Sequence, residues 1–253
     1  MNGGIVSILQ NLGMNEEHFD ICQNTLKQVF VLLNYVQRGI PLFTDHGPLH
    51  TKGVLESIKM IDNQYPHPLS SEDKMLLALA AIFHDIGCIK ERDNHNERSV
   101  DILKMPQFSY VKNSLNQESY RFLQQIIRAH SSDFDITTLK NDGARNSRLS
   151  ILCCLFRLAD ECDVSSNRIP KLVLEVMQKF KVLPTKSLNI WKSHLEVEKV
   201  YFSETRIVVQ VYDETKAKKW LDKLIRETKM INEVLLSYGK PIFTINPVVV
   251  PRP

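Results

Sequence analysis

Two ionisable residues end the most apolar stretch of this sequence. Met75 to Phe83 contains only apolar side chains and runs directly into His84-Asp85-Ile86-Gly87. A buried carboxylate is unfavourable by several kcal/mol unless it is paired, hydrogen-bonded or bound to a cation. Taken alone, the pair is better explained by an intrahelical hydrogen bond or a salt bridge to a distant arginine. Asp160, however, repeats the anomaly in Leu155-Phe156-Arg157-Leu158-Ala159-Asp160. His50 adds a neutral imidazole from a third segment. Imidazole plus carboxylate is a donor set suited to Mn, Fe, Co, Ni or Zn, with Mg a further candidate. One divalent ion would compensate both acids and tie three segments together.

Such residues need rigid carriers. From about Glu16 to Asp163 the apolar residues recur at helical spacing between short polar or Gly/Pro interruptions, so a bundle of helices is expected. The first covers Glu16 to Gln37, with Phe19, Leu26, Phe30, Leu33 and Val36 on one face. Pro48 suits the first position of the next helix, with Gly47 as its cap, which puts His50 in the opening turn. Ser70-Ser71-Glu72-Asp73 is a start signal for the helix that ends at the His-Asp pair, and Gly87 is expected to stop it. Further helices are expected at about 97–103, 117–130 and 148–161.

After about Pro184 the pattern changes. His194 to Tyr201 and Thr205 to Tyr212 read as a hairpin around Ser203-Glu204. An amphipathic helix from Lys216 to Tyr238 and a short strand from Ile242 to Ile245 follow. The expected fold class is mainly α: a helical domain over 1–184 and a small α+β subdomain, a β-hairpin plus helix, over 185–253. Trp191 is expected to pack in the interior.

Composition narrows the function classes. Hydrophobic content of 43% and charged content of 24% over 253 residues are those of an ordinary globular chain. A net charge of +3 with dispersed lysines and arginines gives no dedicated nucleic-acid surface. The five cysteines form no C-x-x-C pair and read as reduced thiols of a cytoplasmic protein. No segment approaches the roughly 20 apolar residues that cross a bilayer, so no membrane is expected as a partner.

The ordered set resembles the HD-domain superfamily: His50 with Val54 four residues on, then His84-Asp85-Ile86-Gly87, then an isolated Asp160 on a later helix. The resemblance covers about Asp45 to Arg168. It implies an HD-type helical bundle in which His50, His84, Asp85 and Asp160 bind a divalent metal. It also implies hydrolysis of a phosphoester or phosphoanhydride bond, usually of a nucleotide, by metal-activated water. Members with a second metal recruit histidines between the His-Asp pair and the final aspartate, which singles out His95 and His130. One ion is expected, with room for a second. On that scheme Asp85 also accepts the water's proton, while His95 or His130 protonates the leaving oxygen or holds a second ion about 3.5–4 Å from the first.

His46 precedes His50 by four residues but falls before Pro48, so a substrate contact or a backbone hydrogen bond is expected rather than ligation. Lys90 and Arg98 neighbour the metal residues and are the expected phosphate contacts. Arg92, Arg128, Arg157 and Arg168 are further anion candidates, and Asp163 can orient a ligand or pair with Arg168. The expected partner is a nucleotide or another phosphorylated small molecule. A homo-oligomer is also open, as is an ATPase module of the chaperone type, which some HD proteins with a similar Asp-His-Gly-x-x-His opening carry. Three rival readings remain: a non-catalytic nucleotide-sensing HD regulatory module, a di-iron HD oxygenase, and a helical interaction module without metal. The intact ligand set weighs against the first.

Overall fold

The apolar helix that ends at the His-Asp pair becomes the centre of the protein. A computed structural model describes residues 2–140, 147–164 and 168–252. In chain order its helices are α1 (Asn2–Gln10), α2 (Glu16–Gly39), α3 (Pro48–Gln64), α4 (Ser71–Phe83), α5 (His95–Leu103), α6 (Ser109–Ser114), α7 (Gln117–Ala129), α8 (Ser147–Cys162), α9 (Lys171–Lys179), α10 (Thr185–Leu195) and α11 (Glu214–Ser237). Its strands are β1 (Val197–Ser203), β2 (Arg206–Val211) and β3 (Thr244–Val249). The fold is mainly α with a small α+β part near the C-terminus.

Local chemistry sets the helix starts. Ser70 and Asp73 form a reciprocal capping box at α4, and Asn15 and Asn116 cap α2 and α7 by accepting backbone N–H groups. Pro48 opens α3 behind Gly47. Every residue of α4 from Met75 to Phe83 is buried, and α2, α3, α7 and α8 pack around it. All five cysteines are buried free thiols.

The C-terminal part adds a three-stranded sheet in the order β1-β2-β3. β1 and β2 form an antiparallel hairpin, and α11 carries the chain across so that β3 runs parallel to β2. Pro247 lies on β3, an edge strand, where its missing N–H is tolerated. Leu224, Ile231 and Leu235 of α11 join the same apolar core as α4 and α8. A smaller cluster gathers Ile169, Leu174, Leu183 and the buried Trp191.

Several expectations need correction. The hairpin does not begin at His194: α10 continues to Leu195 because Trp191 and Leu195 share a face that packs on the smaller cluster. The last strand starts two residues later than expected and extends to Val249. The helices α1 and α9 carry no motif and were not anticipated, although α1 buries Ile5 and Leu9. Gly87 is no helix stop either. The helix ends at Phe83, and Gly87 lies in a 3-10 turn where a Cβ would come within 2.1 Å of the His95 carbonyl. Its smallness lets the turn after Asp85 lie against the first residue of α5.

Candidate metal centre

Four helix termini converge at one end of α4. His50 sits in the first turn of α3, His84 caps α4, His95 opens α5 and His130 caps α7. Asp85 follows His84, and Asp160 lies in the last turn of α8. The loop carrying His95 is held in place by Ser99, whose hydroxyl accepts from the Gly87 N–H at 2.9 Å and donates to the His84 carbonyl at 2.6 Å.

All four imidazoles are oriented alike. The Nδ1 atoms of His84, His95 and His130 face the carbonyls of Ala81, Arg92 and Ile127 at 3.0, 2.8 and 2.6 Å. A carbonyl only accepts, so each Nδ1 carries a proton, and each Nε2 is the nitrogen that presents a lone pair when the ring is neutral. His50 reaches the same state through the carboxylate of Asp163 at 2.6 Å. The Nε2 atoms then meet in pairs, His50 with His84 at 3.0 Å and His95 with His130 at 2.9 Å. Two lone pairs at such a distance repel unless a cation or a proton lies between them.

Asp85 stands between the pairs. Its Oδ2 is 3.4 Å from both His50 Nε2 and His84 Nε2, while its Oδ1 is 3.2 Å from His95 Nε2 and 3.6 Å from His130 Nε2. Asp160 Oδ1 completes the first group, 3.0 Å from His50 Nε2 and 3.6 Å from His84 Nε2. The two buried groups His50/His84/Asp85 and Asp85/His95/His130 can each hold a metal ion, and their imidazole and carboxylate donors fit a divalent transition metal.

The charges are strongly coupled. Burial favours the neutral form of Asp85, but the charges of His84 and Arg92 prevail and hold it well below the usual carboxylate range. Asp160 is likewise depressed against burial by hydrogen bonds to His50 and His84. Burial opposes protonation of His84, yet Asp85 and Asp160 push it up to about 10. His50 also rises, against burial and Arg168, through its bonds to Asp160 and Asp163. For His130 burial wins and lowers it to about 4.

A cavity of about 690 Å³ opens over this cage, lined by His50, Asp85, His130 and Asp160 on one side and by α10 and α11 on the other. His46 lines it as well, with Nδ1 bonded to the Thr44 carbonyl and its ring 5.5 Å from that of His50. Lys90 and Arg98 do not. Lys90 is 71% exposed beside Glu91, and Arg98 holds the loop before α5 through the carbonyls of Gly87, Glu91 and Asp93. Arg92, only a minor candidate from sequence, lies on the cavity wall and donates to Asp85 Oδ1 at 2.9 Å. Arg157 is fully buried and ties the Phe134 carbonyl at 2.8 Å to Glu227 of α11 at 2.6 Å, a structural role. Arg128 pairs with Glu97, whereas Arg168 grips Asp163 and the Asp45 carbonyl. Trp220 and His194 lie on the far wall, and nothing local in the sequence marks residues that α10 and α11 bring to the site.

The fold and this cage define a mainly helical protein with a buried His/Asp centre able to bind metal. The HD-CE family model matches residues 40–235, and the chain belongs to that family. No curated protein matches the chain.

Proposed function

We propose that the protein is a metal-dependent phosphohydrolase that cleaves a phosphoester or phosphoanhydride bond of a nucleotide. The observation that carries this reading is Asp85, whose two carboxylate oxygens face separate pairs of histidine nitrogens. His50, His84, Asp85 and Asp160 would hold one divalent ion, and Asp85, His95 and His130 a second. Bound there, the metal would supply Lewis acidity, lowering the pKa of water and drawing charge from a phosphoryl oxygen.

The remaining work falls to the chain. Arg92 fixes the bridging carboxylate by its bond to Oδ1 and presents positive charge to the cavity. Lys186, Lys219 and Arg226 line the cavity edge as exposed cations suited to an anionic substrate. His46 is kept as a substrate contact. Asp85 is the proton acceptor for the attacking water, and His95, once protonated on Nε2, the donor to the leaving oxygen when no second ion is bound, whereas His130, lowered by burial to about 4 and with its proton committed to the Ile127 carbonyl, has none to give. Lys90 and Arg98 are not carried into this scheme because their side chains are engaged outside the cavity.

Elemental analysis of the purified protein, with a screen of nucleoside triphosphates, cyclic nucleotides and dinucleotides under Mn, Mg, Fe, Co and Ni, tests the reading. Phosphate or nucleoside release that a chelator abolishes is expected. Asp85→Ala should lose both metal and turnover. Bound iron with oxygen consumption and no hydrolysis would favour the oxygenase instead.

A further inference from the structure

α11 contributes no ligand to the cage, yet it meets α8 through two ion pairs that end beside it. Lys223 and Glu227 lie one turn apart on α11, and their partners Glu161 and Arg157 lie one turn apart on α8. Lys223 Nζ is 2.7 Å from Glu161 Oε1, and Glu227 Oε2 is 2.6 Å from Arg157 Nη2. Arg157, Glu161 and Glu227 are buried. The pairing descends one helix as it ascends the other, so the two run antiparallel, and the sign of the charge alternates along each. Sliding α11 by one turn would set Lys223 against Arg157 in one direction and Glu227 against Glu161 in the other, like charge against like.

Docking alone does not require these charges. Leu224, Ile231 and Leu235 of α11 already lie in the apolar core. Buried ion pairs are often no more stabilising than apolar residues of the same volume, and the best-attested use of such groups is to fix register. The register bears on the cage at both ends of the ladder. Glu161 directly follows Asp160 in the last turn of α8. Arg157 donates through Nη1 to the Phe134 carbonyl at 2.8 Å and, more weakly, to the Ala129 carbonyl at 3.4 Å, so its guanidinium brackets the segment that begins with His130.

We propose that this α8–α11 charge ladder registers the C-terminal unit on the metal centre, with Lys223 and Glu227 as positioning residues. Lys223 acts on the half of the cage that contains His50 and Asp160. Glu227, through Arg157, acts on the half that contains His95 and His130. While one rung is intact the register holds, so loss of the other loosens only its own end. The proposal rests on metal binding by the cage and not on hydrolysis.

Cobalt affinity of the full chain, measured by competition with a chromogenic chelator, tests it without turnover. A His95→Ala, His130→Ala background leaves the first half of the cage, and a His50→Ala background leaves the second. Lys223→Met, which removes the charge and keeps an unbranched stem, should weaken binding about tenfold in the first background and leave the second unchanged. Glu227→Gln should do the reverse, and Lys223→Arg should keep the unsubstituted affinity in the first. A ladder that served only the stability of the fold would weaken both halves alike, so equal losses in the two backgrounds overturn the proposal, as do unchanged affinities. Glu227→Gln leaves a buried guanidinium without its counter-charge. Where circular dichroism shows that variant unfolded, the Lys223 variants decide, since Lys223 is partly exposed on the cavity wall. A wild-type chain that takes up no cobalt would remove the cage as a metal centre and the proposal with it. The expected split without hydrolysis of any phosphoester would overturn the hydrolase and leave the ladder standing.

Discussion

Asp163 Oδ2 stands 2.6 Å from His50 Nδ1, and Arg168 grips the same carboxylate oxygen at 3.1 Å. The pair fixes both the tautomer and the direction of His50 from outside the cage. Carboxylate partners of this kind raise the basicity of a ligating imidazole, and their loss typically weakens metal binding by roughly 10–100-fold. Asp163→Asn preserves the shape and removes the charge. Its metal affinity, measured by competition with a chromogenic chelator, should fall within that range, and wild-type affinity would show that Asp163 does not support a ligand.

Gly53 supplies an independent handle on the same carboxylate. It lies one turn after His50 on α3, and a Cβ there would come within 1.9 Å of Asp163 Oδ1. Alanine is intrinsically better than glycine in a helix by about 1 kcal/mol, so Gly53→Ala would stabilise an isolated α3. In the protein it must push Asp163 away from His50 and weaken metal binding. Combined with Asp163→Ala, the two losses should not add, because both act through one contact. Additive losses would rule out this route.

The cage was legible because its members break a pattern. His84, Asp85 and Asp160 are ionisable groups at the ends of apolar runs, and His50 follows a proline that fixes its helix start. The packing helices were legible from their periodicity and caps. What could not be read depends on contacts between distant segments. Arg92 and Arg98 look alike in sequence, and only the turn set by Gly87 decides that one reaches Asp85 while the other grips carbonyls. The short helix α10 carries few apolar residues, and its end was absorbed into the expected strand. Its Trp191 and His194 gain meaning only when α11 docks on α8, through pairs such as Arg157 with Glu227 and Lys223 with Glu161.

Metal stoichiometry separates the two halves of the cage. His95 and His130 contact Asp85 Oδ1, on the side away from His50 and Asp160. A His95→Ala, His130→Ala double variant should therefore retain one ion per chain where the wild type binds two, counted by elemental analysis after dialysis. His50→Ala should weaken the other site first. If the double variant lost all metal, the groups would not be separable sites.

The pH dependence of stability follows from the same histidines. His84 is raised to about 10 in the folded chain, against an ordinary value of 6.5, because Asp85 and Asp160 outweigh burial. Its contribution is complete below about 6.5 and is lost as pH rises through about 10. His130 is lowered by burial to about 4, so the unfolded chain takes up that proton first and stability also falls as pH drops from about 6.5 to 4. Chelator-treated protein should therefore lose thermal stability on either side of about pH 6.5. Metal binding needs Nε2 of His84 unprotonated, so it releases a proton and tightens with rising pH. The gap in Tm between metal-loaded and chelated protein should consequently widen from about pH 6.5 to 9. A gap that stays constant across this range would mean that the proton on His84 and the metal do not compete for the same atom.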